Sequence, residues 1–248
     1  MKIIYKFHRL FFKLFPQLMK SKDYIAWLNA NGVEVGEGTY FFSPCTTTVD
    51  VQRPWMLYIG SYCKITSGVT ILCHDYSRSV LRRVYGTIIG EARRTYIGDN
   101  VFIGMNSTIL MGANIGNNVI IGAGSVVSGK IPNNVVVAGN PAKIISGLDN
   151  YYNKRKDKVL DESFDYFWQF YNKYKRYPQI AEMGAFFPIF LERSVDVLER
   201  NNVFTRLSGD NQEEVIRDFL ASTGTYKNYD EYIADACKHK LYYYDIKE

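Results

Sequence analysis

The sequence predicts a mainly β fold, a stack of short parallel strands wound into a coil, with a helical segment before it and a helical region after it. Three observations predict it. From Ile97 the chain divides into six-residue units, IGDNVF, IGMNST, ILMGAN, IGNNVI, IGAGSV and VSGKIP, opening on Ile97, Ile103, Ile109, Ile115, Ile121 and Val127. The fifth residue of each is small or β-branched: Val101, Ser107, Ala113, Val119, Ser125 and Ile131. Earlier blocks obey the same rule, IGSYCK and ITSGVT after Ile59, and VGEGTY and FFSPCT after Val35. Both ends of the chain lose this period and space their apolar residues three and four apart. A period of six makes no single face on a 3.6-residue helix, whereas one short strand and one turn per unit turns the opening and fifth residues inward. A single unit cannot bury that face; stacked units can. Gly, Asn and Asp supply the turns.

Residues 1–32 read as an N-terminal amphipathic helical segment. Ile4, Phe7, Leu10, Phe11, Leu14 and Leu18 mark one face, and KDYIAWLNANG closes a helix at Gly32. The coil is expected over residues 33–147. TTTVDVQRPW, residues 46–55, interrupts its first turns. Cys45 and Cys63 fall at fifth positions and are expected to be small wall residues. After Ile71 and Leu72 the pattern stops, and residues 73–95 are expected to form an irregular loop that begins Cys73-His74-Asp75; the coil resumes at Tyr96 and Ile97. Residues 148–248 read as a helical domain, with helices in DESFDYFWQFYNKYKR, IFLERSVDVLERNN, DNQEEVIRDFLAST and NYDEYIADACKHKLYYY. Asp210, with Glu213 three residues on, resembles a capping-box start. No catalytic constellation is visible there.

Composition narrows the function classes. The chain has 248 residues, 47% of them hydrophobic, enough for a packed core. A net charge of +5, with basic residues spread along the chain, argues against a nucleic-acid partner. The four cysteines form no CxxC pair, which argues against zinc and thioredoxin-like sites. No signal peptide is visible, and no apolar run approaches the ~20 residues of a membrane span. The expectation is a cytoplasmic protein with reduced thiols, with peripheral membrane contact through the N-terminal helix as an open role.

The repeats from Ile97 to Val127, together with the closing VVVAGNPAKII of residues 135–145, resemble the hexapeptide-repeat acyltransferases. The resemblance spans roughly residues 33–145. Nearest in layout are the galactoside, maltose and xenobiotic acetyltransferases and the O-acetyltransferases of bacterial surface polysaccharides. The resemblance implies a left-handed parallel β-helix, a homotrimer with active sites between subunits, and acetyl-CoA as co-substrate in the cleft. It also implies a general-base histidine in a loop leaving the coil, and His74 is the one histidine of the repeat region. A sugar hydroxyl is not ionised near neutrality, so the base must take its proton as the oxygen attacks the thioester. Backbone N–H groups would hold the resulting oxyanion. The second ring nitrogen of His74 needs an acceptor to fix its tautomer. A backbone carbonyl and the carboxylate of Asp50 are both open for this; Asp75, adjacent in sequence, is a poorer candidate.

By position in the family's motifs, Gly104, Met105, Ala123, Gly124 and Ser128 would line the pantetheine arm, and Lys143 would sit near the nucleotide phosphates. Ser146 stands where the family carries a second basic residue, with Lys130 and Lys154 as substitutes. The zinc carbonic anhydrases of this fold need three histidines, which this chain cannot supply, so no metal is expected. Acceptor contacts are expected from Asp50, Trp55, Asp75 and Tyr76. The function implied is O-acetylation of a carbohydrate hydroxyl, of a bacterial surface polysaccharide or its precursor. The alternatives are an antibiotic, a free sugar or a sugar amine as acceptor, and a non-catalytic trimeric scaffold.

Overall fold

The computed structural model describes residues 19–203 and 209–239. The chain divides into two compact units, Met1–Tyr151 and Tyr152–Glu248. The amphipathic pattern from Ile4 to Leu18 lies outside the described residues.

The first unit is a three-sided coil. One side stacks β1 (Glu34–Val35), β4 (Leu57–Ile59), β7 (Thr95–Ile97), β10 (Asn114–Ile115) and β13 (Lys130–Ile131). The second stacks β2 (Tyr40–Phe41), β5 (Lys64–Ile65), β8 (Val101–Ile103), β11 (Val119–Ile121) and β14 (Val135–Ala138). The third stacks β3 (Thr48–Val49), β6 (Thr70–Ile71), β9 (Thr108–Ile109) and β12 (Val126–Val127). These pairs are parallel and in register, so each opening residue sits on its counterpart, as in Ile59 on Ile97 or Ile71 on Ile109. All six openers from Ile97 to Val127 are fully buried, and so are the fifth residues Ser107, Ala113, Val119 and Ser125.

The corners between the first and second sides are closed by side chains. The amide of Ser61 donates to Asp99 Oδ1, that of Asp99 to Asn117 Oδ1 and that of Asn117 to Asn133 Oδ1, each at 2.8 Å. Beside them Asn100, Asn118 and Asn134 take left-handed φ values of 54°, 56° and 59°. Their carboxamides form a ladder at 2.9 Å. The recurring GDN, GNN and PNN of the sequence are this corner: the middle residue caps an amide, and the third adopts the conformation Asn tolerates.

The first coil departs from the six-residue rule. Phe41 pairs with Ile65 and Val49 with Ile71, so eight positions in the first coil oppose six in the second. The two extra residues are taken up at the 3-10 turn Pro44–Thr46. Cys45 sits on that turn and is exposed, not a wall residue; Thr47 takes the inward place, and Cys63 is buried as expected. Helix α1 (Ser21–Ala30) covers this end of the coil, with Tyr24 edge-on to Phe41 at 5.0 Å and the Ser21 hydroxyl accepting from Phe41 N–H. At the other end β15 (Lys143–Gly147) pairs antiparallel with β14.

The excursion after β6 contains a helix, α2 (Arg78–Tyr85), where an irregular loop was expected. Gly86 ends it in the left-handed conformation, φ 68°.

The second unit is helical. Helix α3 (Leu148–Tyr174) brings Phe164, Phe167 and Trp168 into a core with Met183, Phe187, Phe190 and Tyr232. The indole N–H of Trp168 donates to Ala236 O at 2.9 Å, and Tyr232 OH to Ser163 O at 2.8 Å. A 3-10 segment, Ile180–Ile189, follows. Then come α4 (Val195–Arg200), shorter than its sequence pattern suggested, α5 (Gln212–Ala221) and α6 (Tyr229–Lys238). The N-cap of α5 is Asn211, whose side chain accepts from Glu213 and Glu214 N–H, one residue after the start expected at Asp210. Among the described residues no helix is long and apolar enough to cross a membrane.

Candidate functional site

The corners between the third and first sides carry the irregular chain. In the first coil that corner holds Asp50 to Met56; in the second it opens into residues 72–94. The excursion is tied at its root, where Arg93 N–H donates to Cys73 O at 3.1 Å and Thr95 Oγ1 to Leu72 O at 2.7 Å. The Arg53 guanidinium donates to Glu91 O at 3.2 Å, and Arg93 pairs with the Glu91 carboxylate at 2.8 Å. His74 therefore stands on a fixed foot, one residue beyond the wall.

Asp50 and His74, stacked one coil apart, meet there. Asp50 Oδ2 binds His74 Nδ1 in a short contact, and the same oxygen accepts from Cys73 Sγ at 3.0 Å and Cys73 N–H at 3.3 Å. Asp50 Oδ1 accepts from Gln52 N–H at 3.0 Å. Burial would raise the Asp50 pKa, but the hydrogen bonds from Cys73, Gln52 and His74 outweigh it and hold the carboxyl below its usual range. An ionised carboxylate on Nδ1 keeps the proton there and leaves the lone pair on Nε2. Nε2 has no hydrogen-bond partner among the described residues, and the imidazole is 18% exposed against 4% for the Asp50 side chain.

Asp50 is thus the orienting acceptor that sequence left open between it and a backbone carbonyl. Its oxygens accept from these four donors. The Asp75 Oδ1 accepts from the Ser77 amide and hydroxyl at 2.9 and 2.8 Å. Trp55 and Tyr76 stand 74% and 69% exposed on this corner and the excursion it opens. The Arg78 guanidinium lies over the Tyr76 ring.

Asp50, Cys73 and His74 place one donor atom each within 4.8 Å of one another. Ligand bonds of 2.0–2.3 Å around a tetrahedral zinc set donor separations above about 3.3 Å. The Sγ–Oδ2 separation of 3.0 Å is that of a hydrogen bond.

The residues expected to line pantetheine divide between two corners. Gly104, Met105, Ala123 and Gly124 lie between the second and third sides; Ser128 lies on the corner that carries His74, two coils on. Not all their amides are available. Gly104 N–H donates to Ile121 O at 2.8 Å and Gly124 N–H to Met105 O at 2.7 Å, so these two amides are already engaged. A Cβ on Gly104 would lie 2.5 Å from Ala123 N, so its glycine permits the coils to approach. The amides of Met105 and Ala123 have no partner among the described residues. The contrast with the Asn-lined corner is legible in the chain: its middle residues are Asp99, Asn117 and Asn133, whereas here they are Met105 and Ala123, which carry no acceptor. Lys143 is exposed on β15.

The described features are those of a known family. The model of the bacterial transferase hexapeptide (six repeats) matches residues 94–129. Protein CapG of Staphylococcus aureus is 43% identical over 157 residues, 62% of this chain and 86% of that protein. The putative lipopolysaccharide biosynthesis O-acetyl transferase WbbJ of Escherichia coli is 54% identical over 55 residues, 22% of this chain and 28% of its own length. Galactoside O-acetyltransferase of Lactococcus lactis is 29% identical over 143 residues, 56% of this chain and 66% of that protein. With buried hexapeptide openers on all three sides and a match to most of CapG, the chain belongs to the hexapeptide-repeat acyltransferases, the family of the left-handed parallel β-helix.

Proposed function

We propose that the protein is an acetyl-CoA-dependent O-acetyltransferase acting on a carbohydrate hydroxyl, of a bacterial surface polysaccharide or its precursor. The observation that carries this is the Asp50–His74 pair at the root of the excursion, with Nε2 unengaged. Nε2 takes the proton of the attacking hydroxyl as its oxygen adds to the thioester carbonyl, and Asp50 stabilises the imidazolium that forms. Collapse of the tetrahedral intermediate expels the CoA thiolate, to which the imidazolium returns the proton. The open amides of Met105 and Ala123 support binding of the pantetheine carbonyls, with Gly104 and Gly124 holding the coils in register around them. Lys143 extends that track, and Ser128, on the corner that carries His74, would meet the arm from the neighbouring copy. Trp55 and Tyr76 offer ring faces to a sugar.

The amide track and the base occupy different corners of one chain, and a homotrimer would bring one copy's track to its neighbour's base. The carbohydrate class is drawn from WbbJ and the galactoside enzyme by name. A cytoplasmic site, at the inner face of the membrane where lipid-linked glycans are built, suits this pair of substrates.

The test is thiol release from acetyl-CoA across a panel of glycans, free sugars, amino sugars and aminoglycosides. Glycan-dependent release that His74→Ala abolishes, with its melting temperature and assembly intact, is expected. Release with amines alone would move the protein to N-acetylation, and near-normal turnover by His74→Ala would overturn the mechanism.

A further inference from the structure

Cys73 is the member of this cluster to which acetyl transfer gives no task. Its side chain is fully buried, and Sγ lies 3.0 Å from Asp50 Oδ2. The buried wall residue Cys63 directs its thiol to a backbone carbonyl, Gly98 O at 3.2 Å. Cys73 directs its thiol to the carboxylate that orients the base. We propose that Cys73 is a positioning residue for the transfer: its thiol proton locks the Asp50 carboxylate against the His74 ring and moderates the pull of that carboxylate on the ring. The inference rests on His74 being the base.

Three donors share Oδ2: the thiol and amide of Cys73 and His74 Nδ1–H. Each withdraws negative charge from the oxygen, so each weakens the attraction for an imidazolium. Burial first, and then the Asp50 carboxylate, push the Cys73 thiol up to about 12, so it remains a protonated donor at any working pH. The charged groups around the cluster are few. Arg53 places its carbonyl 3.6 Å from Sγ and its guanidinium on Glu91 O; Arg93 holds Cys73 O with its amide and Glu91 with its guanidinium; Asp75 is engaged with Ser77. Among the described residues none of them hydrogen-bonds Asp50. Removing the thiol proton concentrates charge on Oδ2, and that charge favours the imidazolium over the neutral ring. The ring should then hold its proton to higher pH.

The chain has three histidines, so imidazole resonances of the full-length protein can be followed by NMR with labelled histidine and the His74 signals identified with His74→Ala. Cys73→Ala and Cys73→Val, the latter retaining bulk without a donor, are expected to move the titration of the His74 signals to higher pH than in the wild type. Loss of the lock on the carboxylate should also lower kcat by about threefold to tenfold, outweighing the gain from a more basic ring, measured as thiol release with the acceptor the panel returns. Cys73→Ser, which restores a donor at the same place, should return both values toward wild type. A midpoint unmoved in the Ala and Val variants, or a Ser variant that behaves as they do, overturns the inference. Turnover by His74→Ala overturns the underlying reading instead.

Discussion

Replacing Asp50 by Asn isolates what the carboxylate charge contributes. Asp50 Oδ2 receives three donors and Oδ1 receives one, the Gln52 amide. An asparagine in this site has two orientations. With its NH2 on the Oδ2 side it would face three donors; with its NH2 on the Oδ1 side it would face only Gln52 N–H. The second is favoured, so the side-chain oxygen still accepts from Nδ1 and the His74 tautomer survives. What is lost is charge. A carboxylate and an imidazolium about 4 Å apart attract by about 4 kcal/mol at an effective dielectric of 20, and a neutral amide recovers only a small part of that. With about 3–4 kcal/mol removed from the transition state, kcat should fall between about a hundredfold and a thousandfold. The KM for acetyl-CoA should stay within about twofold, because the open amides lie on another corner. The assay is thiol release under saturating acetyl-CoA, with circular dichroism as the control for folding. An Asp50→Asn enzyme within threefold of wild-type kcat would refute an ionic role for Asp50.

Other expectations concern the coil, the site's acid stability and the second unit. Ala123→Asn, by the rule of the Asn-lined corner, should place Oδ1 on the open amide of Met105; it should raise the KM for acetyl-CoA about tenfold while leaving the melting temperature unchanged or higher. Gly104→Ala, whose Cβ would meet Ala123 N at 2.5 Å, should cost about 1–3 kcal/mol in a denaturant titration. Gly124→Ala has open space and only its φ of 67° to resist, so about 1 kcal/mol is expected. Because the Asp50 carboxyl is held below its ordinary 3.8, its contribution is intact above that pH and drains away as pH falls through the lowered value. As pH falls below 3.8 the wild type should therefore lose more melting temperature than Asp50→Asn. In the second unit Trp168→Ala removes a buried indole and its bond to Ala236, and should cost about 3–5 kcal/mol, read as faster amide exchange in residues 152–239 without loss of protection in the coil.

Much of this molecule follows from sequence alone because its coil is locally periodic. A six-residue spacing of Ile and small residues specifies which side chains face inward, and the parallel register of Ile97 on Ile115 and Ile103 on Ile121 only repeats that spacing in space. The pause at Cys73 and the return at Tyr96 placed His74 at the root of an excursion for the same reason. Helix α2 carries a glycine stop after Tyr85 in SRSVLRRVYG, but a helix of eight residues that buries none of them leaves no apolar face in the sequence.

The rest depended on residues far apart in the chain. Asp50 lies 24 positions from His74, and two residues inserted at Pro44–Thr46 shift the first coil's count, so spacing could not say which Asp50 contacts survive. The same insertion turned Cys45 outward. Which amides remain open is likewise a matter of which coil lies above: Gly104 spends its N–H on Ile121, whereas Met105 faces a neighbour without an acceptor. Sequence determined the coil and the histidine, because both are written in a local period. Only the tertiary structure decided the partners of that histidine, because they are set by how one turn of the coil is stacked on the next.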